Sequence, residues 1–431
     1  MERRDFFKEV GAIGGSGMLI SAFPWLQSCT SEVRKETAKE KVNLAVIGTG
    51  SRGQYHLFNL QKIPQANVVG LCDIYEPHLQ AAKAYFPKAK GYSDYREVLD
   101  NPAIKAVVIT TPLHLHAPIT IAALQAGKQV FCEKAMARTP EDCYKVYQAY
   151  KASNQVLYIG MQRLFDAKYI KAMSMIHAGL IGKICGVRAY WFRNNDWRRP
   201  VPTPDLERQI NWRLYKEYSA GLLTELSTHQ LQIGNWAMRE IPTSLMASGD
   251  LVYWKDGREV PDNISMIYHY SNGVKMNYES IISNKFLGLE EEIFGDRGTM
   301  TPEKNKYYFE EVQPAPGILQ MINDIEHKMF DNVELAGPSW VPETASVNKG
   351  EFIMPHSKTT SGASSTGAAG DGSVELMTAF CQSAITGQRA KNLVEEAYYS
   401  SVLALLAERA MDEKKIIHFP DELKIPYLNM K

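Results

Sequence analysis

Glu225 and His229 stand four residues apart in Ser219–Trp236, SAGLLTELSTHQLQIGNW. On a helix such residues project from one face, so the spacing predicts a carboxylate beside an imidazole. An imidazole near neutrality can take a hydroxyl proton, and a carboxylate can orient it or stabilise its charge. The pair is also compatible with a metal, but no third ligand stands at useful spacing, and no metal is expected. A second reactive pair, Glu133-Lys134, follows directly on the apolar run Gln129–Cys132, QVFC. Charges there are ordinarily the solvated end of a strand, but at the carboxyl edge of a parallel sheet they face bound ligands. Lys134 can hydrogen-bond an alcohol oxygen and stabilise a developing alkoxide, provided burial or neighbouring charge tunes it.

The third feature is a loop. Val42–Ile47 (VNLAVI) reads as a buried parallel strand. It runs into Gly48-Thr49-Gly50-Ser51-Arg52-Gly53 and then a helical stretch from Gln54 to Ile63. Gly48 permits the tight turn, Gly50 lets the backbone approach a pyrophosphate, and Gly53 allows close helix–strand packing. The helix N-terminus offers free N–H groups to the anion. A second strand, Asn67–Cys72, ends at Asp73, twenty residues beyond Gly53. A carboxylate there accepts from the adenosine ribose hydroxyls and repels a 2′-phosphate, which favours NAD over NADP. Arg52 carries the competing reading, because a guanidinium in this loop could serve that phosphate. A nicotinamide to accept hydride and a base to accept a proton together make an oxidation of a secondary alcohol.

These groups need elements to position them. Ala106–Thr110 and Gln129–Cys132 continue the α/β alternation, separated by Thr111-Pro112, a loop with His114 and His116, and a helix over Ile119–Ala126. At 431 residues two domains are expected. From Ser244 to Met300 apolar and polar residues alternate, as in an antiparallel sheet with one covered face, and Asp296–Thr299 reads as a hairpin turn. Pro355–Ser373 is rich in Gly, Ser and Thr. Helical stretches over Val374–Ile385 and Leu393–Met411 and a strand over Lys415–Phe419 follow.

Lys+Arg and Asp+Glu are both 48, with a pI near 7.1, which gives no electrostatic reason to expect nucleic acid or an anionic membrane as partner. A sugar or other neutral small molecule suits the balance better. The first thirty residues carry Arg3-Arg4, then Phe6, Phe7, Lys8 and a Gly/Ala-rich apolar stretch, the layout of a twin-arginine export signal. Broken by Pro24, that stretch falls short of the ~20 apolar residues a spanning helix needs. Leu26-Gln27-Ser28-Cys29 looks like a lipoprotein cleavage box with Cys29 lipidated; the competing reading is a disordered basic terminus. The expectation is therefore a periplasmic protein, touching membrane only through a lipid at Cys29, with residues 30–41 as a tether. The five other cysteines make neither a disulfide framework nor a CxxC site.

The stretch Thr110–Ala137, TTPLHLHAPITIAALQAGKQVFCEKAMA, resembles the glucose–fructose oxidoreductase / inositol dehydrogenase (Gfo/Idh/MocA) family. The likeness continues through Ile159–Arg163 as a fifth strand, through Gly179–Val187, and through Ala220–Trp236. It implies an α/β protein: a Rossmann domain over 42–163, then a C-terminal α/β domain over 164–431 with a large, mostly antiparallel open sheet. The final helices are expected to pack back on the Rossmann domain, and the sheet to make a homo-oligomer. It implies NAD held by Gly48, Thr49, Gly50, Ser51, Arg52, Gly53, Asp73, Thr111, Pro112, His116, Glu133 and Lys134. It places His229 as acid/base with Lys134 and Glu225. The family tends to have Pro where Ala135 stands, and Asp where Glu225 stands. Tyr190–Tyr218 is rich in Trp, Arg and Asn, which suits sugar rings or, equally, a filled domain interface. Arg163, Asn195, Arg213 and Tyr215 are the candidate substrate contacts.

The function so implied is an NAD-dependent oxidoreductase acting on a secondary hydroxyl of a sugar, polyol or glycoside, in a glycoside at C3, with tightly bound cofactor. The alternative is a glycosidase that oxidises C3 transiently so that the aglycone can be eliminated. A non-catalytic sugar sensor is the third reading.

Overall fold

The computed structural model describes residues 40–310, 351–353 and 370–427. The leader with Cys29, most of the tether and nearly all of Pro355–Ser373 lie outside the described residues. Six strands form the first sheet: β1 (Val42–Ile47), β2 (Ala66–Cys72), β3 (Lys90–Tyr92), β4 (Ala106–Ile109), β5 (Gln129–Cys132) and β6 (Leu157–Ile159). Their order is β3-β2-β1-β4-β5-β6, all pairs parallel. Every residue of β4 and all but one of β1 are buried, as strands covered on both faces must be. The order reverses between β1 and β4, whose last residues Ile47 and Ile109 are paired. That crevice is where an open parallel sheet takes its ligand.

Three details differ from the expectation. β3 is an additional strand of only three residues, too short to show a hydrophobic period. The helix after the glycine loop starts at Ser51, so the loop is tighter than Gly48–Gly53. The strand expected over Ile159–Arg163 ends at Ile159, where its pairing with β5 ends, and Gln162–Phe165 is a helical turn.

The second sheet has nine strands: β7 (Ile184–Phe192), β8 (Ser244–Asp250), β9 (Asn263–His269), β10 (Lys275–Ile281), β11 (Leu289–Gly295), β12 (Gly298–Thr301), β13 (Lys306–Phe309), β14 (Glu351–Ile353) and β15 (Ile417–His418). Its order is β14-β13-β12-β11-β7-β10-β9-β8-β15, antiparallel except where β10 runs parallel to β7. In β10, Met276, Tyr278 and Ser280 are buried while Lys275, Asn277 and Glu279 are exposed, so one face is covered and the other open.

The C-terminal helices join the two sheets. On Ser373–Thr386, Phe380 sets its ring 5.7 Å from those of Phe131 and Tyr158. On Leu393–Glu413, Ser401 Oγ accepts from Met136 N at 2.9 Å, and Glu408 is paired with Arg138 at 2.7 Å. Tyr268 of β9 donates to the Leu403 carbonyl from the other side at 3.3 Å. The residues just after Lys134 are thus clamped by a helix that also touches the second sheet.

Candidate active site

Gly48 adopts φ +88°, and a Cβ on it would lie 2.7 Å from the backbone of Thr110 and Thr111. At Gly53 a Cβ would lie 2.2 Å from the Gly48 carbonyl oxygen. Both positions exclude a side chain for steric reasons. The helix they admit begins after Gly50 with no side-chain cap and no acidic residue in its first turn, so its N–H groups are left for a ligand. The groove beyond has a volume of about 820 Å³ and is lined by Gly48, Gly50, Asp73, Thr111 and Pro112 among others.

Asp73 stands at the far end of this groove. Its Oδ2 accepts from Thr49 N at 2.7 Å and Oδ1 from Tyr75 N at 2.8 Å, with His78 Nδ1 at 3.7 Å. Burial pushes its pKa up, but the neighbouring His78 imidazole and hydrogen bonds from Tyr75 N and Thr49 N outweigh this and hold it below the ordinary value. Toward the other end, Thr111 Oγ1 and His114 Nδ1 are buried without a protein partner among the described residues. A dinucleotide fits this groove, with uncapped N–H groups for phosphate, a carboxylate for ribose, and orphaned polar atoms awaiting a polar ligand.

Two residues expected on the cofactor are engaged elsewhere. The ring nitrogens of His116 face the carbonyls of Ala135 at 2.8 Å and Thr111 at 3.0 Å, so it ties two loops together. Glu133 is buried, accepting from Arg52 Nε at 2.8 Å and meeting His56 Nε2 at 2.6 Å. A Cβ on Gly160 would lie 2.8 Å from its carboxyl, so Gly160 makes room for it. Burial raises the Glu133 pKa, but Arg52 and His56 overcome this and leave it well below the ordinary value. Glu133 therefore anchors the glycine loop from behind. Arg52 is held on it through Nε while still lining the groove.

Lys134 follows in a cis Lys134–Ala135 peptide. Its Nζ donates to the carbonyls of Glu225 at 2.8 Å and Thr224 at 3.3 Å. Burial lowers its pKa, with Glu225 and Glu133 opposing. His229 is only 5% exposed, its ring 5.9 Å from that of Trp191. Burial, then the charges of Lys134 and Arg163, push its pKa well below the ordinary imidazole value, so it is neutral at physiological pH. The expected Glu225–His229 pairing is not formed. Leu223–Ser227 winds as a π turn before the α-helix Thr228–Met238 begins, which changes the angular offset between the two side chains. The Glu225 carboxylate instead accepts from Arg213 Nε at 2.8 Å.

A second cavity of about 470 Å³ opens beside this cluster, lined by Arg193, Trp197, Arg198, Arg199, Arg213 and Glu225 among others. Asn195 is also on its wall, its Oδ1 accepting from Trp197 N at 2.6 Å. Arg199 and Arg213 line both cavities, and Arg199 Nη1 donates to Ser51 Oγ in the glycine loop at 2.5 Å. Two expected substrate contacts are taken up structurally. Arg163 is buried in an ion pair with Glu291, whose other oxygen accepts from Tyr169 at 2.9 Å. Tyr215 donates to Glu207 at 2.7 Å and lines neither cavity. Arg193 and Arg199 also line this cavity, and their only sequence signal is the Arg/Trp-rich run from Trp191 to Arg199.

The oxidoreductase-family NAD-binding Rossmann fold matches residues 42–161, and the Gfo/Idh/MocA C-terminal domain matches 169–301, together more than half of the chain. The chain belongs to the Gfo/Idh/MocA family. It is similar to inositol 2-dehydrogenase of Salmonella typhimurium, 36% identical over 141 residues, 32% of this chain and 42% of the relative. It is also similar to levoglucosan dehydrogenase of Pseudarthrobacter phenanthrenivorans, 30% identical over 213 residues, 47% of this chain and 52% of the relative. The chain thus spans about half the length of these curated relatives. A solved levoglucosan dehydrogenase, in complex with NADH and L-sorbose, shares the fold at a TM-score of 0.67 and 20% identity, over 88% of this chain and 99% of that one.

Within the family frame, the two departures noted in sequence settle differently. The Ala135 carbonyl faces His116 Nδ1 at 2.8 Å, which ties the segment after Lys134 to the loop of Thr111. Glu225 retains its carboxylate near Lys134 but gives it to Arg213, leaving the His229 ring to be fixed by burial and by Trp191.

Proposed function

We propose that this Gfo/Idh/MocA protein is an NAD-dependent dehydrogenase oxidising a secondary hydroxyl of a sugar, polyol or glycoside, in a glycoside at C3. The observation carrying the reading is that half-buried Lys134, at the carboxyl edge of the parallel sheet, reaches the turn that precedes buried His229. Lys134 Nζ donates to the carbonyls of Thr224 and Glu225, in the turn that leads directly into the helix carrying His229.

Bound NAD would supply the hydride acceptor, held by Gly48–Gly53, Asp73 and Thr111. His229, neutral and buried, accepts the hydroxyl proton at its imidazole. Lys134 Nζ spends hydrogen bonds on two backbone carbonyls, which aims its remaining N–H. That N–H stabilises charge developing on the substrate oxygen. His229 is buried and Lys134 partly so, which limits water and strengthens each interaction.

The Arg3-Arg4 leader supports export of the folded protein with its cofactor already loaded. Residues 199–218 run along the groove and are tied across it by Arg199 to Ser51, by Arg138 to the Lys216 carbonyl at 2.9 Å, and by Tyr218 against His114 at 4.6 Å. These ties support slow nucleotide exchange. The exposed Met246 and Phe294 on the open sheet face support self-association there.

The test is a panel of sugars and polyols mixed with NAD-loaded protein, reading reduced nicotinamide by absorbance and products by mass spectrometry. A keto product with its glycosidic linkage intact is expected. Release of free sugar without a stable keto product would replace this reading with the glycosidase one. Loss of NAD on brief dialysis would refute the retained cofactor.

A further inference from the structure

The arginines around the second cavity are not equivalent. Arg198 is fully engaged, donating from Nε to Asp256 at 3.1 Å, from Nη2 to the Asp256 carbonyl at 2.8 Å, and from Nη1 to Glu207. Arg213 is engaged with Glu225 and stacks on Trp212, its guanidinium 4.1 Å from the ring. The Arg199 guanidinium donates to Ser51 Oγ, and that of Arg193 lies 5.7 Å from the Trp191 ring centroid; neither guanidinium has a carboxylate partner among the described residues. In a chain with 48 cations and 48 anions, two unmatched guanidiniums on one cavity are not a by-product of a basic surface. Two carboxylates also line the cavity, Glu225 paired with Arg213 and Asp196 accepting from the Arg198 backbone N–H at 3.1 Å, so the guanidiniums outnumber the carboxylates on its wall.

The loop carrying them is also built. Trp197 adopts φ +59°, a left-handed conformation a tryptophan takes only when its surroundings impose it. Asn195 Oδ1 accepts from the Trp197 N–H, and Arg258 donates to the Asp196 carbonyl at 2.7 Å. The result is an indole on the cavity wall, flanked by Arg193 and Arg199. An aromatic face offers a surface to the C–H side of a sugar ring, and a guanidinium fork matches an oxyanion.

Resting on the dehydrogenase reading for its chemistry, we propose that the substrate is an acidic sugar, whose anionic group is received by Arg193 and Arg199 while Trp197 carries the ring. A charge-balanced chain suggests a neutral ligand, but it is the charge left unmatched at the site that selects.

Binding of glucuronate, glucose 6-phosphate, glucose 6-sulfate and glucose to the NAD-loaded full chain, by calorimetry at low and high salt, tests this. At least one acidic sugar should bind about tenfold or more tightly than glucose, weakening with salt, as a charge-assisted contact requires. The three acids separate carboxylate, phosphate and sulfate sources. Arg193→Gln should abolish the preference while leaving NAD affinity intact, which also shows that the variant is folded; Arg193→Lys should restore part of it. Equal binding of acidic and neutral sugars, or a preference that survives both Arg193→Gln and Arg199→Gln, overturns the proposal. Arginine-dependent binding of an acid without nicotinamide reduction would uphold the anion site and refute the dehydrogenase reading.

Discussion

Glu225 is the residue on which spacing and structure disagree, and a mutant cycle can decide between them. Glu225, Arg213 and His229 would each be changed to Gln, singly and in the two pairs that include Glu225. Arg213 Nε to Glu225 Oε2 is one charge-assisted bond of 2.8 Å, with side chains 31% and 13% exposed. Such a bond contributes about 1.5–3 kcal/mol when well shielded. The partly exposed guanidinium is screened by water, which reduces the expected coupling to roughly 1–2 kcal/mol. Glu225 and His229 make no mutual hydrogen bond among the described residues, so their coupling should stay below about 0.5 kcal/mol. Urea unfolding of the full chain at neutral pH measures both, and needs no knowledge of the substrate. A Glu225–His229 coupling above about 1 kcal/mol, with Glu225–Arg213 near zero, would restore the simple i,i+4 picture and refute the role of the π turn.

Further outcomes follow from other parts of the molecule. Asp73→Ser should weaken NAD and relax discrimination against NADP, read from the two dissociation constants; wild-type protein that prefers NADP would contradict the assignment. His229→Ala should slow the chemical step by roughly 10²–10⁴-fold while sparing NAD binding, and Lys134→Ala should also slow it. Near-wild-type turnover in both variants would remove them from the site. Because burial and neighbouring cations depress the His229 pKa, the acid limb of wild-type kcat/KM should fall well below 6.5, and a limb at 6.5 or above would argue against His229 as the base. Glu290 is pushed up to about 7 from 4.5 by burial and then by Glu291, so its protonated form favours the fold. That stability is fully present below about 4.5 and is lost as pH rises through about 7. Glu290→Gln should therefore match wild type at low pH and exceed it at pH 8 by up to about 3 kcal/mol, and an unchanged pH slope would contradict this.

The nucleotide half of the protein was legible because its determinants are local. A left-handed turn at Gly48, a close approach at Gly53 and a carboxylate ending the next strand are all set by a few consecutive residues. What was not legible depends on partners far along the chain. Arg52 finds Glu133 81 residues away, and Arg163 finds Glu291 128 residues away. No spacing rule reports such pairs, so neither the tether of Arg52 to Glu133 at the groove nor the burial of Arg163 against Glu291 was visible in sequence. The Glu225–His229 reading failed for a different reason, since i,i+4 assumes an unbroken α-helix and the π turn over Leu223–Ser227 breaks that assumption.

The arginine-rich stretch shows why composition alone stops short of substrate class. Arg198, Arg199 and Arg213 look alike in sequence, yet Glu207 and Asp256 occupy the first, and Glu225 occupies the third. Arg199 reaches the glycine loop through Ser51, and Arg213 is joined through Glu225 to the backbone that holds Lys134. Both arginines line the nucleotide groove and the second cavity, so the two spaces share a wall made of charge. On the acidic-sugar reading, a ligand anion drawn to that wall would lie next to the nucleotide groove. On that reading substrate recognition and cofactor retention would share side chains, so a change at Arg199 should move both, whereas a change at Arg193 should move only the first.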